Sequence, residues 1–127
     1  MKAKKKLKVG VIGLSIGRSH LLEYAKHPQV EIAAVADIDS ERLEKVAQEF
    51  SVPGRYTSAE EMLANETLDI VSVCTPNVYH KPMTLAAFKA GCHVLCEKPM
   101  AMNAEEGRQM LLAAKRAGKR LMIDFSY

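Results

Sequence analysis

Short apolar runs alternate with helix-like segments along the whole sequence, and this alternation restricts the possible folds more than any other feature. The runs occupy 9–12, 31–36, 70–74, 93–96 and 121–123, and each is too short to form a helix. Continuous apolar runs of this length are typical of strands buried on both faces of a parallel sheet. The repeated strand–helix order therefore predicts an α/β fold: a single domain with a doubly wound parallel sheet and helices on both faces.

Capping residues and turn residues mark where the intervening helices begin and end. Ser40, Ser58 and Asn103 each precede a helical pattern and are predicted to be N-caps. Pro82 is predicted to open the fourth helix and Gly118 to close the last one. The predicted helices run from 18 to 26, from 40 through 50, from 58 through 63, from 82 through 88 and from 103 to 117.

The charge distribution argues against nucleic acid as a partner. The net charge is +3, but five lysines lie within residues 2–8, and the rest of the chain has 13 basic and 15 acidic residues. The lysine-rich start continues into neither a basic helix face nor interleaved aromatic residues, so we interpret it as a solvated terminus. We expect no nucleic-acid partner.

The apolar pattern and the cysteines indicate a cytoplasmic protein. No apolar run approaches the ~20 residues needed to span a membrane, and glycines interrupt the stretch after the lysines, which excludes a signal peptide. Cys74, Cys92 and Cys96 are an odd number and are expected to be reduced and buried. Cys92, His93 and Cys96 resemble half a zinc site, but no second ligand pair follows, so no metal is expected.

The first strand is followed by a glycine-containing turn, GLSIGRSH, at residues 13–20. A phosphate-binding turn needs glycine where the chain reverses and where the backbone approaches a pyrophosphate. Gly13 meets the first need, Ser15 stands where a second glycine usually lies, and Gly17 is expected to add flexibility. The N–H groups that open the following helix would point toward an anion.

Asp37 ends the second predicted strand, 24 residues after Gly13. A carboxylate at this point accepts hydrogen bonds from ribose hydroxyls and repels a 2′-phosphate. The alternative role, helix capping, is already served by Asp39 and Ser40. Because Ile38 and Asp39 follow and no arginine comes directly after Asp37, we expect an adenine dinucleotide, with NAD favoured over NADP.

An S-adenosylmethionine methyltransferase would share the glycine turn and the acidic residue, but two later segments argue against it. Thr75-Pro76-Asn77 with His80 and Glu97-Lys98-Pro99 follow the fourth and fifth strands. Both therefore lie on the same carboxyl edge as the first turn, where ligands bind in open α/β sheets. A methyltransferase needs neither segment.

With these segments the chain resembles the Gfo/Idh/MocA family of oxidoreductases over nearly its whole length. The matching blocks are VGVIGL…GRSH, VADIDSERLEKVA, DIVSVCTPNVYHKPMTLAAFKAGCHVLCEKPMAM and RLMIDFSY. The resemblance implies a Rossmann-like NAD(P)-binding domain that takes part in hydride transfer on a sugar or polyol hydroxyl. Compared with the family pattern, the turn lacks the usual middle glycine at Ser15 and is one residue short, so the resemblance implies a modified but working phosphate cradle.

The resemblance further assigns roles to individual residues. Lys98 is the implied catalytic residue, positioned to hold the substrate hydroxyl and stabilise its developing charge. Glu97 would hold Lys98 or meet the nicotinamide ribose; the alternative for the two is a surface ion pair. His80 is expected at the helix start or cofactor edge rather than as a base. The implied cofactor-binding residues are Gly13, Ser15, Ile16, Gly17, Asp37, Thr75, Pro76, Asn77, His80, Glu97 and Lys98.

The end of the sequence departs from the family pattern. Family enzymes continue past a block like DFSY into a second domain with the substrate pocket, whereas this chain stops at Tyr127. We therefore expect residues 1–127 to form the dinucleotide-binding domain, inactive by itself, with the substrate domain absent. The alternatives are a binding-only module and a structural α/β module. An exposed sheet edge or uncovered surface would favour a homodimer.

Overall fold

The computed structural model describes residues 5–124, which form one six-stranded, fully parallel sheet. The strand order is β3-β2-β1-β4-β5-β6, the order of a doubly wound dinucleotide-binding sheet. The predicted α/β fold is confirmed. The strands are β1 (Leu7–Ile12), β2 (Val30–Ala36), β3 (Gly54–Tyr56), β4 (Ile70–Val73), β5 (His93–Glu97) and β6 (Leu121–Asp124).

Helices cover both faces of the sheet and divide the core into two clusters. On one face, Leu21 and Leu43 pack in a cluster with Val11 and Val35. On the other face, a larger cluster includes residues of β4 and β5 and of three helices. The helices are α1 (Gly17–Tyr24), α2 (Ser40–Glu49), α3 (Ala59–Asn65), α4 (His80–Lys89) and α5 (Ala104–Ala117), with a 3₁₀ turn at Asn77–Tyr79 before α4.

Two of the three predicted helix caps are confirmed, and one is wrong. Ser58 accepts a hydrogen bond from the Glu61 N–H, and Asn103 caps α5 in the same way. The N-cap of α2 is Asp39, not Ser40, which is the first helical residue. Asp39 has an extended backbone, and its carboxylate accepts two first-turn N–H groups; its negative charge also suits the positive end of the helix.

Each helix has at least one limit that differs by one or two residues from the sequence prediction; α3, for example, ends at Asn65 rather than at 63. The α1 helix ends at Tyr24, and the chain then continues in a turn in which Lys26 and His27 donate to carbonyls three residues back. The α4 helix begins at His80, two residues before Pro82. A proline is tolerated there because the N–H groups of the first helical turn have no intrahelical acceptor.

Both glycines of the first turn are required by close packing. Gly13 has φ +89°, and a Cβ there would lie 2.7 Å from the Cys74 carbonyl oxygen. Gly17 is the first residue of α1, and a Cβ there would lie 2.7 Å from Val11 Cγ1. The expectation that Gly17 supplies flexibility is therefore wrong, since its role is to let α1 lie close to β1.

Two further expectations concern the cysteines and membrane-spanning segments. Cys74, Cys92 and Cys96 are free and buried, as predicted. Within residues 5–124, no helix combines the length and apolar character that membrane crossing requires.

The β6 strand is at one edge of the sheet, as expected, and self-association through it stays a prediction. Part of the lysine-rich start (1–4) and the end of the DFSY block (125–127) lie outside the described residues.

We predict that Gly13→Ala lowers the free energy of unfolding by more than about 2 kcal/mol, because the new methyl group meets backbone in a left-handed conformation. Gly118→Ala is the matched control: Gly118 also has positive φ, but a Cβ there would touch nothing within 4 Å. Gly118→Ala should lower the free energy of unfolding by about 1 kcal/mol, from backbone strain alone. Denaturant unfolding measures both, and equal losses would contradict the close approach of Gly13 to β4.

Candidate functional site

A cavity of about 450 Å³ opens at the carboxyl ends of β1, β2 and β4. It lies where the strand order reverses between β1 and β4, which is the usual ligand position in open α/β sheets. Its volume is that of a small-molecule site. The wall includes predicted site residues and side chains from α2 and the turn before α4: Gly13, Ser15, Asp37, Ile38, Arg42, Thr75, Pro76 and Tyr79.

Asp37 holds the turn after β1 in place. Its side chain is almost completely buried, and one carboxylate oxygen accepts the Leu14 N–H at 2.8 Å. The other oxygen accepts the Asp39 N–H, also at 2.8 Å. The carboxylate therefore links the end of β2 to the glycine turn, and it still borders the cavity with lone pairs that can accept ribose hydroxyls.

Arg42 is a site residue that the sequence prediction missed. Its Nη1 lies 3.4 Å from the Asp37 carboxylate, and its Nη2 lies 3.6 Å from Asp39. The side chain is 44% exposed and borders the cavity. Arg42 reaches Asp37 because both lie near the start of α2, five residues apart, so the sequence search for an arginine directly after Asp37 did not find it.

The first turn presents N–H groups beside the cavity. The α1 helix begins at Gly17, and its N-cap, Ile16, provides no side-chain cap. N–H groups in the first turn of a helix lack intrahelical acceptors and favour a bound anion. Ser15 and Ile16 are exposed at this point, and Ser15 forms part of the cavity wall. These groups suit a pyrophosphate.

The predicted TPN and EKP segments are joined by His80. The ring is 1% exposed, with Nδ1 2.6 Å from the Pro99 carbonyl oxygen and Nε2 2.8 Å from that of Thr75. His80 is thus at the helix start, as expected, and faces protein rather than the cavity. Thr75 is in the cavity wall, and within the described residues its buried Oγ1 has no hydrogen-bond partner. A bound cofactor would supply one; Asn77 is exposed nearby.

Glu97 and Lys98, at the end of β5, differ in their exposure to solvent. Glu97 is buried, and its carboxylate lies 2.7 Å from His20 Nε2. Lys98 is exposed, precedes a cis peptide bond to Pro99, and forms no ion pair within residues 5–124. The alternative interpretation of the two residues as a surface ion pair is therefore wrong, because Glu97 is buried and pairs with His20 instead.

A buried polar network, also missed in the sequence, surrounds Glu97. His20 Nδ1 lies 3.0 Å from Ser72 Oγ, which is 2.6 Å from the Tyr24 hydroxyl. On the other side of the ring, Nε2 is 3.3 Å from an Asp124 carboxylate oxygen. The only local signals were polar residues in or beside apolar strands, such as Ser72. We call His20, Glu97 and Asp124 the acidic cluster.

Burial and crowding perturb the acidic cluster and its surroundings. Desolvation, followed by the nearby Glu97 carboxylate, raises the pKa of Asp124, although His20 partly offsets this. Burial also raises the pKa of Tyr24. The three potential ligand atoms of the cluster lie within 4.8 Å of one another and are of types that can hold a metal ion.

The three residues that resemble half a zinc site in the sequence, Cys92, His93 and Cys96, lie in different surroundings. Cys92 and Cys96 are buried in the core cluster, whereas the His93 ring accepts the Arg120 N–H.

Together the strand order, the glycine turn and Asp37 define a dinucleotide-binding α/β domain. The chain belongs to the Gfo/Idh/MocA oxidoreductases: the model of the oxidoreductase family with NAD-binding Rossmann fold matches residues 7–125. The domain accordingly binds a nicotinamide dinucleotide.

Two relatives and one solved structure illustrate this membership. D-glucoside 3-dehydrogenase of Escherichia coli is 36% identical, over 95% of this chain and 35% of its own length. D-xylose 1-dehydrogenase (NADP(+)) 2 of Haloferax volcanii is also 36% identical, over 93% and 37%. WlbA dehydrogenase of Chromobacterium violaceum, solved with NADH and UDP-GlcNAcA, superposes with a TM-score of 0.91 at 32% identity, over 97% and 36%. The chain thus spans about a third of the length of these relatives.

We predict that Asp124→Asn stabilises the domain at neutral pH. The folded-state pKa of Asp124 is above its ordinary value of 3.8, so the folded state binds this proton more tightly than the unfolded state. The stability that Asp124 gives the folded domain through this proton is fully present at pH values below 3.8 and is lost as the pH rises through the raised pKa. The melting temperature of the variant should therefore increasingly exceed that of the wild type between pH 4 and 7.

The control is Glu31→Gln, which removes an exposed carboxylate at the amino end of β2. Its melting temperature should follow that of the wild type at each pH. A pH-independent difference for Asp124→Asn would contradict the raised pKa.

Proposed function

We propose that this domain binds NAD(H) in preference to NADP(H) as the cofactor-binding part of an oxidoreductase that transfers hydride to or from a sugar or polyol hydroxyl. The single observation that carries the preference is the buried Asp37 carboxylate at the wall of the cavity. It offers acceptors to ribose hydroxyls and an unfavourable charge to a 2′-phosphate.

The arrangement supports one direction for the cofactor along the carboxyl edge. The adenosine lies in the cavity beside Asp37, and the pyrophosphate lies at the N–H groups of Ser15, Ile16 and Gly17. The nicotinamide half then extends over the ends of β4 and β5. Thr75, Pro76 and Asn77 border it there, and Glu97 supports the strand end from below.

Lys98 is proposed to be the catalytic residue. Its ammonium group is exposed at the end of β5 and, within residues 5–124, is not engaged by a carboxylate. It can donate a hydrogen bond to the oxygen of a substrate alcohol and stabilise the negative charge that develops there when a base removes the hydroxyl proton, while hydride leaves the carbon. NAD supplies the hydride acceptor. The named sugar dehydrogenases among the relatives support a sugar or polyol as the substrate class.

Arg42 is the feature that opposes NAD preference. A guanidinium near the ribose can hold a 2′-phosphate, and one relative is named for NADP(+). Here, however, Arg42 already faces two carboxylates, Asp37 and Asp39. To bind Arg42, a 2′-phosphate would have to displace these two carboxylates from the guanidinium. The negative charge of Asp37 would then lie beside that of the phosphate, so NAD remains the favoured cofactor.

We predict that calorimetric titration shows tighter binding of NAD⁺ than of NADP⁺ to the 127-residue chain. Asp37→Asn should weaken NAD⁺ binding by roughly tenfold, or 1.4 kcal/mol. It should therefore narrow the difference in affinity between NAD⁺ and NADP⁺. Asparagine is preferred to alanine because it retains one acceptor oxygen for the N–H groups of Leu14 and Asp39.

Arg42→Gln serves as the comparison variant in the same titrations. It should weaken NADP⁺ binding more than NAD⁺ binding, because only NADP⁺ has a 2′-phosphate to pair with the guanidinium. Tighter binding of NADP⁺ than of NAD⁺ by the wild type would overturn the assignment of Asp37 to the ribose.

We predict that Ser15→Gly leaves the fold intact and maintains or improves NAD⁺ affinity. Ser15 is exposed at the cavity wall, and removing its side chain lets the backbone approach a pyrophosphate more closely. Ser19→Gly, in α1 outside the cavity wall, is the control for added backbone freedom. A loss of affinity of more than about tenfold in Ser15→Gly alone would show that the hydroxyl itself binds phosphate.

A further inference from the structure

We propose that the acidic cluster of His20, Glu97 and Asp124 biases this domain toward the oxidised cofactor, so that NAD⁺ is bound more tightly relative to NADH than it would be without the cluster. The inference rests on the proposed function, because it requires a nicotinamide dinucleotide at the carboxyl edge. It adds a role for His20 and Asp124, which neither hydride transfer nor ribose binding uses, and a second role for Glu97.

The position of the cluster follows from the sheet. The switch point of this sheet is the place between β1 and β4 where the strand order reverses. A dinucleotide on a doubly wound sheet crosses this point, so its two halves lie over the two halves of the sheet. Asp37, at the end of β2, fixes the adenosine half. Glu97 and Asp124 are the last residues of β5 and β6, which belong to the other half. The cluster therefore lies in the half that receives the nicotinamide.

The cluster contains two acids and one base. His20 lies 2.7 Å from Glu97 and 3.3 Å from Asp124, and within the described part of the chain no lysine or arginine pairs with either carboxylate. Two carboxylates thus face a single imidazole, so the acidic groups of the cluster outnumber its one basic group. The side chains of His20 and Glu97 are only 4% and 10% exposed and that of Asp124 is 33% exposed, so solvent screens the charge of Glu97 weakly and that of Asp124 partly.

The bound cofactor responds to this charge because its two redox states differ there. The nicotinamide ring carries a positive charge in NAD⁺ and none in NADH, whereas the rest of the molecule is unchanged. A weakly screened negative charge nearby therefore stabilises bound NAD⁺ selectively. Lys98 is the opposing charge at this edge, but it is exposed, and water screens its effect more strongly.

The consequence is a lower reduction potential for the bound cofactor. By linkage, a change in the ratio of the two dissociation constants is a change in the potential of the bound couple. For a two-electron couple a tenfold change in that ratio corresponds to about 30 mV. The cluster thereby favours the state of the domain that accepts hydride.

The test is the ratio Kd(NADH)/Kd(NAD⁺), measured by calorimetric titration of the 127-residue chain at pH 7.5. Asp124→Asn removes one carboxylate charge and should lower the ratio by roughly threefold to tenfold. Glu97→Gln should lower it in the same direction. Glu31→Gln, an equal change of charge at the opposite edge of the sheet, should leave it unchanged.

The ratio separates electrostatics from structural damage, because a distorted site weakens both redox states together. An unchanged or increased ratio in both Asp124→Asn and Glu97→Gln would overturn the inference while leaving the proposed function intact. Failure of the wild type to bind either NAD⁺ or NADH would overturn the proposed function itself.

Discussion

The hydrogen bond from the Leu14 N–H to the Asp37 carboxylate joins the glycine turn after β1 to the end of β2. The Asp37 carboxylate is buried, and a buried charge is tolerated only when donors surround it. Leu14 and Asp39 supply those donors from the backbone, and a hydrogen bond to a charged group is worth about 1.5–3 kcal/mol. The glycine turn and Asp37, which we propose as the phosphate-binding turn and the ribose acceptor, are therefore held in register by the fold itself.

The other half of the site is fixed by two histidines. His80 bridges the carbonyl groups of Thr75 and Pro99, so the segments after β4 and β5 keep a constant separation. His20 connects α1 to β4 through Ser72 and to β5 through Glu97. Since α1 also begins at the turn that we propose for the pyrophosphate, this network joins that turn to the strand ends where we propose that the nicotinamide lies. A preformed site of this kind loses little conformational entropy on binding.

The sequence predicted the features that depend on local chemistry. The strand–helix order, the turn at Gly13, the acid at Asp37 and the cap at Asn103 each follow from residue types within a few positions of one another. The choice of Asp39 over Ser40 as the cap of α2 did not follow, because both residues are good caps and the backbone angles decide between them.

The contacts that bring distant residues together were not predictable from sequence periodicity. His20 and Glu97 are 77 positions apart, and His80 and Pro99 are 19 apart. Arg42 was missed because its distance to Asp37 depends on the entry angle of α2, not on sequence adjacency. For the two histidine contacts the sheet order sets the partner, and that order is a property of the tertiary fold. The assignment of individual cofactor contacts stays a prediction.

Amide chemical-shift mapping during titration with NAD⁺ tests the central claim most directly. If the cofactor spans the carboxyl edge from Asp37 to the end of β5, the shifts should concentrate at residues 13–18, 37–39, 75–77 and 97–98. The amino edge around Glu31 and Asp69 should remain unaffected. Shifts concentrated at the amino edge, or confined to the adenosine half with no change at 97–98, would contradict a dinucleotide bound across the switch point.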